Sequence, residues 1–221
     1  MINRKTAISV ALALGLPFAG ATYAATPFVG PYVGAQLGYS VYDIEGTVTD
    51  TAVPETGTIE GLSASGAEGG LYAGWGMKPT PTTYAGIEAE YSQSGAEHTT
   101  TFTDPGGTVI GKIEDKNNYG ISGRLGWLPS SNTMLYVRAG WQRTELEYSG
   151  DVTAVGSGSV SRDHDGLRLG VGAEVAMTSD WLLRLDYAHT WYGDETETSG
   201  TVSVKSEPDN DVFRIGIARQ F

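Results

Sequence analysis

Along most of this chain apolar side chains recur at every second position. The pattern fills eight separate segments of about ten residues, 29–42, 67–78, 83–94, 118–128, 134–144, 166–177, 181–192 and 211–221. A period of two sustained over that length means strands with two unlike faces. In the fourth segment Tyr119, Ile121, Leu125 and Trp127 face one way, while Asn118, Gly120, Ser122, Arg124 and Gly126 face the other. In the sixth, Leu167, Leu169, Val171, Ala173 and Val175 oppose Arg168, Gly170, Gly172 and Glu174. In the seventh, Leu183, Leu185, Tyr187 and Trp191 oppose Arg184, Asp186, Ala188 and Thr190.

The second face decides which side is interior. A soluble sandwich turns Lys, Thr and Glu to water, whereas here the polar face is mostly glycine with isolated Arg and Glu. Glycine weakens a strand unless something must approach the backbone closely. A narrow barrel creates that need, because side chains from all strands converge on one axis. The glycine and charged face is therefore expected to point inward, and the apolar face to meet lipid. Trp75, Trp127, Trp141, Trp181 and Trp191 all fall on the apolar face near segment ends. Interfacial aromatic girdles favour those heights.

The start of the chain reads as an address. Arg4 and Lys5 precede an apolar run, 7–16, too short to span a bilayer, and Pro17 with small residues over 19–25 supplies a cleavage region. Cleavage after Ala24 or Ala21 fits, and Ala24 is favoured. The expected organisation is a signal peptide, 1–24, and one barrel domain, 25–221. The rest holds no apolar run of 18 residues, which excludes a membrane helix but not a membrane strand, whose hydropathy is diluted by half. With no cysteine, disulfides, thiolate catalysis and cysteine zinc sites are excluded. The 14 Lys and Arg against 26 Asp and Glu give −12, and loss of Arg4 and Lys5 takes the exported form to −14. Such a chain repels nucleic acid.

Connections alternate in length. The short ones, 78–83, 128–133 and 177–180, are rich in Pro, Ser, Thr and Asp, as tight turns should be. The long ones cover about 43–66, 95–117, 145–165 and 193–210. Short periplasmic turns, long external loops and an even strand number form the outer-membrane pattern. The fold expected is an all-β, eight-stranded, antiparallel transmembrane β-barrel with up-and-down meander connections.

The chain resembles the small outer-membrane barrels of the OmpA transmembrane-domain and opacity-protein superfamily. The similarity rests on the opening strand Tyr32-Val-Gly-Ala-Gln-Leu-Gly-Tyr39 and on the final strand Asp211-Val-Phe-Arg-Ile-Gly-Ile-Ala-Arg-Gln-Phe221. The resemblance implies that Phe221 belongs to the signal read by the barrel-assembly machinery, and that the surroundings are outer-membrane lipid and lipopolysaccharide. Because families of this kind share a fold while their functions diverge, activity does not follow. No peptidoglycan-binding domain follows the barrel, so an anchoring role is not implied.

Ten charged residues are expected in the lumen, five acidic (Glu68, Glu88, Glu90, Glu174, Asp186) and five basic (Arg124, Arg138, Arg168, Arg184, Arg214). Equal numbers suggest a neutralised network in a barrel just wide enough for side chains to fill. Such a network reads as a polar plug or as a gate whose ion pairs rearrange. Beyond it, 20 acidic residues face 5 basic ones on the upper rim and loops. That excess is either a solvated surface or a place for divalent cations, which take several carboxylate oxygens. The nearest candidate cluster, Asp163-His164-Asp165-Gly166, is a weak signal, and neither a dedicated metal site nor a cofactor is expected.

The resemblance also brings lipid-modifying barrel enzymes into view. A serine nucleophile needs a base within hydrogen-bond reach. His189 sits on the lipid face, but the string Tyr187-Ala-His-Thr-Trp191 lacks the His-x-Ser-Asn of the deacylases, and His98 and His164 fall in expected loops. The leading expectation is a monomeric, non-enzymatic surface protein whose barrel supports the envelope and whose four acidic loops make contacts. The runner-up is a narrow porin or a channel for small solutes or hydrophobic compounds.

Overall fold

A computed structural model describes residues 26–50, 55–104, 107–152, 156–193, 195–199 and 202–221. The expected signal peptide, and with it both cleavage positions, falls outside the described residues. The described residues form ten strands: β1 (Gly30–Asp50), β2 (Glu55–Thr80), β3 (Thr83–Ser94), β4 (Glu97–Asp104), β5 (Gly107–Ser130), β6 (Thr133–Val152), β7 (Gly156–Ala176), β8 (Trp181–Tyr192), β9 (Glu195–Ser199) and β10 (Val202–Gln220). They make eight staves of one closed antiparallel wall, because β4 continues β3 past a jog at Gly95–Ala96 and β9 continues β8. Each stave pairs with its neighbours in sequence, and β1 closes the ring by pairing with both β2 and β10.

The wall closes with a stagger. One row of paired residues runs Ala85, Leu125, Val137, Val171, Tyr187, Phe213, Tyr39 and Ala67, and returns to the first stave at Gly95, ten positions beyond its start. A sheet can close only with such a shear, which tilts the strands against the axis. The three expected tight turns are present between β2 and β3, β5 and β6, and β7 and β8.

The long connections differ from expectation. Most of their described residues are not loop but strand that runs on past the membrane band. The β1–β2 pairing persists to Asp50↔Glu55, β5–β6 to Val109↔Val152 and β6–β7 to Val152↔Gly156. Above the band β9, β10, β1 and β2 form one group, and β4, β5, β6 and β7 another, bridged at Ser65↔Glu97. The physical reason is that backbone pairing needs no apolar face, so it continues through segments whose sequence is mostly polar or small.

The faces divide as the alternation requires. Leu37, Ile87, Leu125, Val137, Leu169, Leu185 and Ile215 are exposed on the outer wall. Trp75, Trp127, Trp141 and Trp191 are exposed with them, and Trp181 is half-buried at the start of β8. Inside, buried tyrosines lie across glycines of neighbouring strands. A Cβ on Gly172 would stand 2.3 Å from the Tyr136 hydroxyl, and one on Gly34 would stand 2.4 Å from the Tyr72 ring. These glycines are required by close approach, not by a turn.

Candidate functional site

The lumen is filled in three layers. At the periplasmic end Phe28, Leu128, Met134, Leu182 and Ala218 pack with Tyr84 and Tyr136 into a small apolar seal. Gln220 fastens the entering chain to it. Its Oε1 accepts from the Phe28 backbone N–H at 2.8 Å, and its Nε2 donates to the Thr26 carbonyl at 2.7 Å.

The middle layer holds all ten of the expected lumen charges, every one of them buried. They fall into two balanced tiers. In the lower tier Glu88 accepts from Arg184 Nη1 at 2.9 Å and Nη2 at 2.6 Å, from the Tyr32 hydroxyl at 2.8 Å and from Arg124 Nη1 at 3.2 Å. Glu174 accepts from Arg184 Nε at 2.7 Å and lies 3.2 Å from Arg124 Nη2. Arg124 stacks over the Tyr136 ring at 3.9 Å and Arg184 over Tyr72 at 4.0 Å, so planar guanidiniums carry both ion pairs and ring faces.

In the upper tier Glu90 accepts from Arg138 Nη2 at 2.7 Å and from Arg168. Asp186 accepts from Arg138 Nη1 at 3.3 Å and from the Tyr136 hydroxyl at 2.6 Å. Glu68 accepts from Arg214 Nε. Arg138 Nη1, 3.7 Å from Glu88, joins the tiers. Charges leave water only when paired and hydrogen-bonded, and two-against-two and three-against-three sets meet that condition.

The outer layer was not anticipated. Tyr42 and Tyr192 stack with centroids 6.4 Å apart over a hydrogen-bonded set of polar side chains. The Tyr42 hydroxyl donates to Asp115 at 2.8 Å, Asn118 Nδ2 donates to Asp115 at 3.0 Å, and Gln142 Nε2 donates to Asn118 at 3.0 Å and Tyr192 at 3.1 Å. The sequence signal that could have found it is six tyrosines on the inward phase, Tyr32, Tyr42, Tyr72, Tyr84, Tyr136 and Tyr192. Their large rings do not fit a face read as small and charged.

The other candidates are placed as follows. Asp163, His164 and Asp165 lie in β7, not in a loop, and strand alternation exposes the two carboxylates while burying His164. Asp165 takes Arg143 Nε and Nη2, both at 2.8 Å, so the cluster forms a salt bridge on the outer wall. Among the described residues no three His, Asp or Glu are grouped to hold a metal. His189, at the outer boundary of β8, engages Asp211 Oδ1 through Nδ1 at 2.8 Å, and the Tyr187 hydroxyl donates to the same oxygen at 2.7 Å. The hydroxyl on this carboxylate is thus a phenol's. The side chains of His98 and of Glu45, Asp50, Glu55, Glu60, Asp194, Glu195, Glu197 and Glu207 lie outside those described. Above the membrane band Glu114 accepts from Lys112 at 2.8 Å and Lys116 at 3.1 Å, and these bonds hold its carboxyl below the usual range. At the C-terminus the Phe221 N–H donates to the Pro31 carbonyl at 3.0 Å, and Arg219 lies over its ring at 5.3 Å.

Among curated proteins, the 25 kDa outer-membrane immunogenic protein of Brucella melitensis is 22% identical over 194 residues, covering 88% of this chain and 79% of that protein. The 31 kDa outer-membrane immunogenic protein of the same species is 23% identical over 175 residues, covering 75% and 72%. Among solved structures, the outer membrane protein OprG of Pseudomonas aeruginosa matches with a TM-score of 0.54 at 14% identity, covering 88% of this chain and 97% of that one. The outer membrane protease OmpT of Escherichia coli matches at 0.53 and 8% identity, covering 87% and 97%. At such identities the two structures speak for the fold alone. A family model described as outer membrane protein beta-barrel domain matches residues 9–221. The chain belongs to that family, and it is an outer-membrane barrel protein of a Gram-negative bacterium.

Proposed function

We propose that this is a non-enzymatic surface protein: the barrel acts as a rigid post in the outer membrane, and its acidic extracellular hairpins make the contacts. The observation that carries the reading is the contrast between lumen and rim. The lumen is spent on internal pairing, tier by tier. The strands meanwhile run well past the aromatic girdle, farther than connection requires. Sequence charge supports the same division, since 43–66 holds five acidic residues and no basic one. Partners in this reading are lipopolysaccharide and other lipid around the wall, divalent cations or cationic surfaces at the hairpins, and the assembly machinery at Phe221.

A direct test shortens two hairpins at register pairs, joining Gly46 to Ile59 and Thr196 to Lys205 through an Asn-Gly turn. Adherence of expressing cells to coated matrix is expected to fall at least tenfold, roughly the 1.4 kcal/mol equivalent of one decade. Heat-modifiable migration of the barrel should be unchanged. Undiminished adherence would refute the reading. The second reading, a narrow channel, is favoured by a charged rather than apolar lining, since ion pairs can exchange partners. Steady conductance in planar bilayers from the refolded protein would establish it in place of the plug.

A further inference from the structure

Several buried atoms of the lumen lack a hydrogen-bond partner, nitrogens of Arg124, Arg138 and Arg168 among them, but two residues go wholly unmet. Among the described residues, Gln36 and Tyr72 are the two whose fully buried side-chain polar atoms all lack a hydrogen-bond partner: Gln36 Nε2 and Oε1, and the Tyr72 hydroxyl. Both residues are nine-tenths buried or more, Gln36 with 4% of its surface exposed and Tyr72 with 3%. Leaving such groups unmet costs free energy, and native interiors answer with protein atoms, water or an ion.

The two residues are neighbours. Gln36 on β1 lies level with Gly70 of β2 and Gly216 of β10, so no side chain flanks it on either side. Tyr72 crosses beneath it. Its ring covers Gly34, two positions below Gln36, and its hydroxyl ends 3.0 Å from where a Cβ of Gly216 would stand. Arg214 forms the roof, its Cγ packed at 2.9 Å against the Cβ position of Gly38, two positions above Gln36. Arg214 spends Nε on Glu68, and its Nη1 stands 3.5 Å from Glu90 Oε1 and 3.9 Å from Asp186 Oδ1 in ion-pair range. Nη1 and Nη2 nevertheless have no aligned hydrogen bond. The Gln36 amide, the Tyr72 phenol and the Arg214 guanidinium are therefore neighbours on one stretch of the β10–β1–β2 wall.

We propose that Gln36, Tyr72 and Arg214 enclose a binding site for a small lone-pair acceptor, water or a halide ion. The donors outnumber the acceptors. The carboxamide NH₂, the phenolic O–H and the two Nη groups all donate, while Gln36 Oε1 and the phenol oxygen accept. A species that accepts from several of them at once satisfies what the protein leaves open. Water can in addition donate to Oε1. The sealed layers above and below would hold such an occupant in slow exchange with bulk solvent.

The test is a crystal structure of the refolded, detergent-solubilised chain grown in sodium bromide. An anomalous peak within hydrogen-bond reach of Gln36 Nε2 and Arg214 Nη2 would identify a halide site, and a non-anomalous ordered peak there a water site. Either supports the proposal. Gln36 Nε2 and Oε1 both bonded to protein atoms, with no density between the three residues, would overturn it. Thermal unfolding of Gln36→Leu gives an independent reading through its sign. Removing an unliganded buried carboxamide raises Tm, whereas removing one that holds an occupant lowers it by several degrees. A raised midpoint would count against the site even without crystals.

Discussion

Replacing Glu88 with glutamine is expected to destabilise the barrel by about 3–5 kcal/mol, the cost of stripping one partner from a buried ion set. Glu88 takes four hydrogen bonds, from both Nη groups of Arg184, from Arg124 and from Tyr32. Glutamine keeps the shape, but it cannot accept with both terminal atoms. It also leaves the lower tier with two guanidiniums and one carboxylate, sealed between an apolar floor and a second balanced tier. Equilibrium urea unfolding in lipid vesicles, followed by tryptophan fluorescence, reads the loss directly. Adding Arg124→Met to the same chain restores equal numbers and should recover part of it. A Glu88→Gln midpoint within about 1 kcal/mol of the parent would mean that the lumen is wet enough to screen the charge, and the plugged-lumen argument would fall with it.

That prediction draws on pairings that no reading of the sequence could supply. Alternation identified Glu88, Arg124, Arg184 and Glu174 as inward, and equal numbers of opposite charge implied neutrality. Which carboxylate meets which guanidinium depends on the stagger of the wall, a property of all eight staves together. Arg184 and Glu88 are 96 positions apart and share two hydrogen bonds because the row of paired residues climbs as it circles. The membrane strands and their tight turns were legible because lipid on one face and a crowded axis on the other impose opposite chemistries on adjacent residues.

The hairpin extensions were not legible, for the converse reason. Beyond Tyr42 in β1, and in β4 with its run of threonines, the sequence is mostly polar or small. Polar and small residues then serve either side, and nothing in composition separates strand from loop. The interlock of Tyr136 over Gly172 and Tyr72 over Gly34 also stayed hidden. Glycine on the inward phase announced close approach but not by what. His164 falls in the expected long loop 145–165, within a string, Asp-His-Asp-Gly, that reads as a turn starting a strand. Pairing with β6 decided otherwise, with His164 opposite Thr144.

The strongest contrast available to experiment lies at two adjacent positions of β8. Arg184 is 1% exposed, surrounded by carboxylates and a tyrosine face, while Leu185 is 59% exposed on the outer wall, between Trp181 and Trp191 of the same strand. Arginine is therefore tolerated at one and costly at the next. Leu185→Arg should destabilise the barrel in vesicles by about 2–4 kcal/mol, the figure for a basic residue near the bilayer midplane. Ser131→Arg, in the exposed β5–β6 turn, should change it by less than about 1 kcal/mol, since stability costs of this kind fade at the interface. Exchanging the two residues, with Leu at 184 and Arg at 185, adds the loss of Arg184's four contacts to Glu88 and Glu174, and that chain is expected not to refold. The order of these effects matters more than their size. If Leu185→Arg proved as harmless as Ser131→Arg, the apolar wall would not be facing acyl chains, and the assignment of lumen and lipid faces would have to be reversed along every stave.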